Sequence, residues 1–167
     1  MSKSLQSSRH SVTPGSKPAA VETNDKPKVL VVEDDPRIMK VFSTLLERSG
    51  YEVISANYAL PALFRVVRRK PDIILVDLNM PMMNGLELLD QLKAHAETRE
   101  IPVVVVTGST APEDREAAFK AGCSGYIKKP VEAKEFIKQI GALIPKPKAR
   151  SMDMSAPSAG DGFRRRL

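Results

Sequence analysis

Five short runs of aliphatic and β-branched residues alternate with five longer segments whose apolar residues recur every three or four positions. The short runs suit buried strands, and a period near 3.6 suits amphipathic helices. The runs are KVLVV (Lys28–Val32), YEVISA (Tyr51–Ala56), DIILVD (Asp72–Asp77), IPVVVVTG (Ile101–Gly108) and GYIKK (Gly125–Lys129). The first, third and fourth are apolar almost throughout, as expected of strands covered by helices on both faces. Alternation of this kind predicts an α/β fold around a parallel sheet.

The intervening segments carry their own start and stop signals. Asp35 can cap the first helix, Pro36 suits its first position, and Gly50 suits its end. Its apolar face is expected to be Ile38, Val41, Phe42, Leu45 and Leu46. A second helix is expected over 58–69, with Leu60, Leu63, Val66 and Val67 inward. Arg68, Arg69 and Lys70 lie at its cation-favouring end. Asn84 opens a third helix carrying Leu86, Leu89 and Leu92, and Pro112 opens a fourth with Glu113 and Asp114 in its first turn and Gly122 at its end. Glu132–Ile144 forms the last, with Phe136, Ile137, Ile140 and Ile144 inward and Pro145 as its stop.

Charge separates this alternating region from the chain ends. Residues 28–145 carry sixteen Lys/Arg and sixteen Asp/Glu. Residues 1–27 carry four basic and two acidic residues, and residues 146–167 six and two, so all the excess of the +6 chain lies in the ends. A fold built to grip nucleic acid would hold that excess in its folded part. Both ends are rich in small, polar and basic residues without apolar period, and both are expected to be disordered. No run approaches the ~18 apolar residues of a membrane span. The first residues hold no continuous apolar stretch of the signal-peptide kind, so a cytoplasmic location is expected. The single cysteine, Cys123, excludes an intrachain disulfide and reads as a small core filler. Met80, Met82 and Met83 read as packing or surface residues, and His10 and His95 are not credible ligands.

In a parallel α/β sheet, ligands gather beyond the carboxyl ends of the strands, at a switch in strand order. Glu33, Asp34 and Asp35 follow the first strand, Asp77 ends the third, Thr107 ends the fourth and Lys129 ends the fifth. If all strands are parallel, these groups meet at one edge. Crowded carboxylates either retain a proton or bind a cation. Hard oxygen donors with open positions suit Mg²⁺. Lys129 and Thr107 would add a positive charge and a hydroxyl, the means of stabilising a transferring phosphoryl group. A carboxylate such as Asp77 can be its acceptor.

VLVVEDD, ILVDLNMPMMNG, VVVVTGS and GYIKKP, in that order over about 28–145, resemble the four signature stretches of the receiver domain of bacterial two-component response regulators. The resemblance implies a flavodoxin-like, doubly wound (βα)5 fold with a five-stranded parallel sheet in the order 2-1-3-4-5. It implies Asp77 as phosphoacceptor. Mg²⁺ would be held by Glu33, Asp34, Asp77 and the backbone carbonyl of Asn79. Thr107 would bond a phosphoryl oxygen, and Lys129 rather than Lys128 would pair with the phosphoryl group. Tyr126 would match the aromatic switch residue, and the Lys129–Pro130 bond is often cis in the family. Glu33 departs from the aspartate more usual at the first acidic position.

The implied partners are a histidine kinase or histidine phosphotransfer protein and an unidentified downstream protein. Only 22 residues follow Pro145, so no DNA-binding output domain is expected, and the chain reads as a stand-alone, non-enzymatic receiver. Taken singly, Thr107 reads equally as a strand terminus, Lys129 as a solvated lysine and Tyr126 as a strand aromatic. Two other functions remain open at this point. One is an Asp-nucleophile phosphatase, which usually needs a second aspartate where Asn79 stands. The other is an interaction module whose basic tails, FRRRL included, dock on a membrane or nucleic acid.

Overall fold

The computed structural model describes residues 26–145. The chain runs β1 (Lys28–Val32), α1 (Pro36–Arg48), β2 (Glu52–Ala56), α2 (Ala59–Arg69), β3 (Ile73–Val76), α3 (Gly85–Ala94), β4 (Val103–Thr107), α4 (Pro112–Lys120), β5 (Gly125–Lys128) and α5 (Ala133–Leu143). The strands form one parallel sheet in the order β2-β1-β3-β4-β5. This is the doubly wound flavodoxin-like arrangement anticipated from the alternation and the four motifs. Of the two segments read as disordered extensions, 1–27 and 146–167, all but residues 26 and 27 lie outside the described residues.

β1, β3 and β4 are central, and their side chains are buried on both faces. One face packs against α2, α3 and α4 through a cluster that includes Leu30, Ile74, Val105, Val66 and Leu89. The opposite face packs against α1 and α5 through Val31, Leu75, Val106, Phe42 and Phe136. The rings of Phe42 and Phe136 stack there at 5.1 Å and tie α1 to α5. Alternate residues of each central strand serve opposite faces, so continuous apolarity is what this sandwich requires.

The helix ends follow local chemistry. Asp35 caps α1 by accepting from the N–H of Arg37, and Pro36 sits at its first position. Asn84 and Glu87 form a reciprocal capping box at α3. Glu132 proves to be the cap of α5 rather than its first residue, accepting from the N–H groups of Lys134 and Glu135. Gly50 and Gly122 take φ values of 91° and 97° after α1 and α4, which L side chains rarely adopt.

Two of the expected helix faces need correction. In α1 the buried residues are Met39, Phe42 and Leu46, while Val41 is 52% exposed. In α2 they are Ala59, Ala62 and Val66, while Leu60 and Val67 are 68% and 51% exposed and Leu63 is half-buried. Small side chains let α2 lie close on the sheet, and that choice turns its larger residues outward. Apolar period locates a stripe but not its centre when alanines share the helix.

Candidate functional site

The loops after β1, β3 and β4 and the residue after β5 open on the same edge because every strand runs the same way. Strand register sets their heights: Val32 pairs with Val76, Val76 with Val105, and Thr107 with Lys128. Asp77 follows β3 directly, and its N–H donates to the carbonyl of Val32 at 3.1 Å. Glu33 follows β1 in the same way, its N–H bonded to the carbonyl of Ala56. The main chain therefore holds both carboxylates at the rim before any side chain contributes.

Glu33, Asp34 and Asp77 each offer an oxygen to a cluster whose atoms lie within 4.8 Å of one another. One cation faces them. The Nζ of Lys129 donates to Glu33 Oε2 at 2.6 Å and to Asp77 Oδ2 at 3.1 Å. Glu33 is only 2% exposed. Burial pushes its carboxyl above the usual glutamate range, and the Lys129 ammonium recovers only part of that rise. Burial by itself would lower the Lys129 amine, but its bonds to Glu33 and Asp77 outweigh this and raise it. Lys129 is held charged against the pair. Lys128 points away into solvent. The Lys129–Pro130 peptide is cis.

The second oxygen of each carboxylate is held by main chain. Asp77 Oδ1 accepts from the N–H of Asn79 at 3.1 Å, and Glu33 Oε1 from the N–H of Asp35 at 3.1 Å. Asn79 extends its amide to the Oγ of Thr107 at 3.4 Å, and the N–H of Ser109 reaches the same oxygen at 3.3 Å. Thr107 is completely buried and accepts twice, which leaves its own O–H proton to donate elsewhere.

Gly85, at the first turn of α3, packs under the site. A Cβ there would lie 2.3 Å from the carbonyl oxygen of Asp77 and 2.8 Å from the Cα of Leu78. Gly85→Ala is therefore expected to displace the Asp77 main chain and to destabilise the fold by about 3 kcal/mol, at the upper end of overpacking costs. Urea unfolding measures it; an unchanged midpoint would refute this packing role.

Tyr126 stands on β5, and its hydroxyl is buried without a hydrogen-bond partner among the described residues. Burial pushes the phenol above its usual range. The guanidinium of Arg115 on α4 lies 5.7 Å from the Tyr126 ring centre and 5.4 Å from that of Phe119. Ser109 donates through its hydroxyl to Asp114, one residue earlier on α4. None of these α4 contacts was anticipated from the sequence, where Ser109 figured only as the end of the VVVVTGS stretch and Arg115 carries no distinguishing pattern. A buried, unpaired hydroxyl is costly. Tyr126→Phe is thus expected to raise stability by about 1 kcal/mol, read as a higher thermal midpoint; a fall would mean that the hydroxyl has a partner.

The structure brings the Lys129 amine and the carboxylates of Glu33, Asp34 and Asp77 together at one edge of the sheet. Cys123 is buried and unpaired, and burial raises its thiol, so it is an inert filler. Met80 is buried, Met82 exposed and Met83 half-buried, with no common site among them. His95 follows the last turn of α3, far from the carboxyl edge, and His10 lies outside the described residues.

A doubly wound sheet with three carboxylates and one lysine gathered at its carboxyl edge is the architecture of a receiver, the phosphoryl-accepting module of two-component signal transduction. The chain belongs to the response regulator receiver domain family, whose model matches residues 29–141. It is 41% identical over 116 residues to the polar-differentiation response regulator DivK of Brucella anthropi, covering 70% of this chain and 94% of that protein, and equally similar to DivK of Brucella ovis. Among solved structures, chemotaxis protein CheY4 of Vibrio cholerae superposes with a TM-score of 0.68 at 29% identity, over 71% of this chain and 98% of that one. The receiver domain of sensor histidine kinase PA1611 from Pseudomonas aeruginosa, with magnesium coordinated in its active-site cleft, gives 0.67 at 27% identity over the same shares. Receivers of this family partner with histidine kinases or phosphotransfer proteins. Among the described residues no helix is long and apolar enough to cross a membrane.

Proposed function

We propose that Asp77 is the phosphoacceptor of a receiver occupying residues 28–145, and that phosphorylation switches a protein-interaction surface. The observation that carries this is the Lys129 ammonium shared between Asp77 and the buried Glu33. An oxygen of Asp77 attacks the phosphorus of a phosphohistidine on the partner. The new P–O bond forms as the P–N bond breaks, and the imidazole leaves with the nitrogen electron pair and takes a proton from solvent. Lys129 neutralises charge gathering on the phosphoryl oxygens. The N–H of Asn79 keeps Asp77 Oδ1 in place.

The donor set fits Mg²⁺: hard oxygens only, with an excess of carboxylates over cations. Glu33, Asp34, Asp77 and the main-chain carbonyl of Asn79 would hold it. When bound, it supplies the positive charge that lets an anionic phosphoryl group approach an acidic rim.

Thr107 has an unused O–H proton, and an added phosphoryl oxygen is an acceptor for it. Its movement would disturb the Ser109 contact, and Ser109 in turn is bonded to Asp114 on α4. The next residue, Arg115, lies over Tyr126. A shift in the β4–α4 loop thus reaches Tyr126, whose orphaned hydroxyl gains from relocation. Such a switch requires only that phosphorylation bias a pre-existing equilibrium by a few kcal/mol.

On this reading the protein is a phosphoacceptor rather than an enzyme, acts in the cytoplasm and signals to a downstream protein. Asn79 carries no titratable proton and cannot replace the acid/base aspartate of a phosphatase. Phosphotransfer from a set of purified histidine kinases and phosphotransfer proteins, followed as label on the chain, tests the assignment. Turnover of a small phosphate ester without stable labelling would overturn it.

A further inference from the structure

We infer that the outer surface of α2 docks on an anionic bilayer. Leu60, Phe64 and Val67 recur at i, i+4 and i+7, and all three face solvent; Phe64 is 69% exposed. The core takes its contacts from Ala59, Ala62 and Val66 instead. Three large apolar side chains on one stripe of a folded domain are an unmet surface rather than scattered exposure.

Charge specifies what meets them. Residues 28–145 as a whole are balanced, yet α2 and its C-cap carry Arg65, Arg68, Arg69 and Lys70 with no acidic residue. All four basic residues are exposed. Arg69 is engaged by Glu52 at 2.6 Å, while Arg65, Arg68 and Lys70 pair with no carboxylate among the described residues. Arg65, Arg68 and Arg69 line a groove of about 570 Å³ along the open edge of β2. Val67 lies on the other flank, beside Leu63, His95, Ala96, Glu97 and Thr98, and Lys70 lies on that same flank next to Glu97. The helix therefore presents the apolar stripe of Leu60, Phe64 and Val67 with guanidinium groups along one side of it.

A second copy of this chain is a poor occupant, because a symmetric contact through α2 would set guanidinium against guanidinium. An anionic lipid surface suits the stripe and its guanidinium side: Leu60 and Phe64 enter the headgroup–acyl boundary while Arg65 and Arg68 meet lipid phosphates. Docking in this way also leaves the phosphoryl site open. α2 lies on the sheet face opposite α1 and α5, and the carboxylate rim faces along the strands rather than outward through α2.

The test uses the full chain with vesicles of pure phosphatidylcholine or of an equal mixture with phosphatidylglycerol. The chain contains no tryptophan, so Phe64→Trp supplies a single reporter. Its emission is expected to shift to the blue on adding the anionic vesicles and to be quenched by brominated acyl chains. In sedimentation, Phe64→Ser is expected to weaken binding about tenfold, and each of Arg65→Gln and Arg68→Gln about fivefold. These side chains are exposed, so the variants keep the parent thermal midpoint. Binding of the wild type that is unchanged in all three variants would overturn the inference and assign affinity to another basic segment. Absence of binding to either vesicle, or no shift at position 64, would also overturn it and leave this face to an acidic protein segment.

Discussion

Asp77→Asn is expected to lose Mg²⁺-dependent, hydroxylamine-sensitive labelling from a small phosphodonor, on the order of a hundredfold or more. The substitution preserves shape. An amide oxygen can still accept from the N–H of Asn79, as Oδ1 does in the native chain. What disappears is the anion proposed as nucleophile, together with a carboxylate oxygen of the candidate cation site. Circular dichroism on the same sample checks that the fold persists. Wild-type labelling by this variant would remove Asp77 from the role assigned to it, and the other rim carboxylates would then have to be tested in turn.

Lys129→Ala should have the largest effect on stability of any change to a charged side chain at the rim. It strands Glu33, which is almost fully buried and has no other cationic partner among the described residues. Breaking a buried pair from one side costs about 3 kcal/mol, or a thermal midpoint lower by roughly 10 °C for a domain of this size. The pH dependence has a definite sign. The Lys129 amine is raised above its ordinary value of 10.5. Its contribution is therefore complete below that pH and is lost as pH rises through the higher folded value. The variant should lack that alkaline loss. Mg²⁺ should also restore more stability to the variant than to the parent, because a bound cation substitutes for the missing ammonium. The variant should still accept phosphate, more slowly, and fail to switch. Equal midpoints with and without Lys129 would show that the bridge contributes nothing to the fold.

The carboxylate rim was legible because each of its residues lies within two positions of a strand end, and strand ends are marked by local changes from apolar to polar residues. The same locality explains what was missed. Leu60 and Val67 fit a helical stripe as well as Val66 does, but only the sheet beneath α2 selects the flank built from Ala59 and Ala62. Ser109 and Asp114 were legible only as a motif end and a helix-start signal, and Arg115 carries no pattern of its own. Their link to Thr107 and Tyr126 exists only after β4, α4 and β5 pack together.

By itself the sequence determined the order of elements, the caps of α1 and α3 and the positions of the acidic residues relative to strand ends. These depend on side-chain period and on hydrogen bonds reaching only a few residues along the chain. Only the tertiary structure decided that one ammonium bridges two carboxylates 96 and 52 residues away, and that α2 turns apolar and cationic flanks to solvent. Those outcomes rest on strand register and on which helix face fits the sheet, and both are set by packing between segments remote in sequence rather than by the local propensities of either.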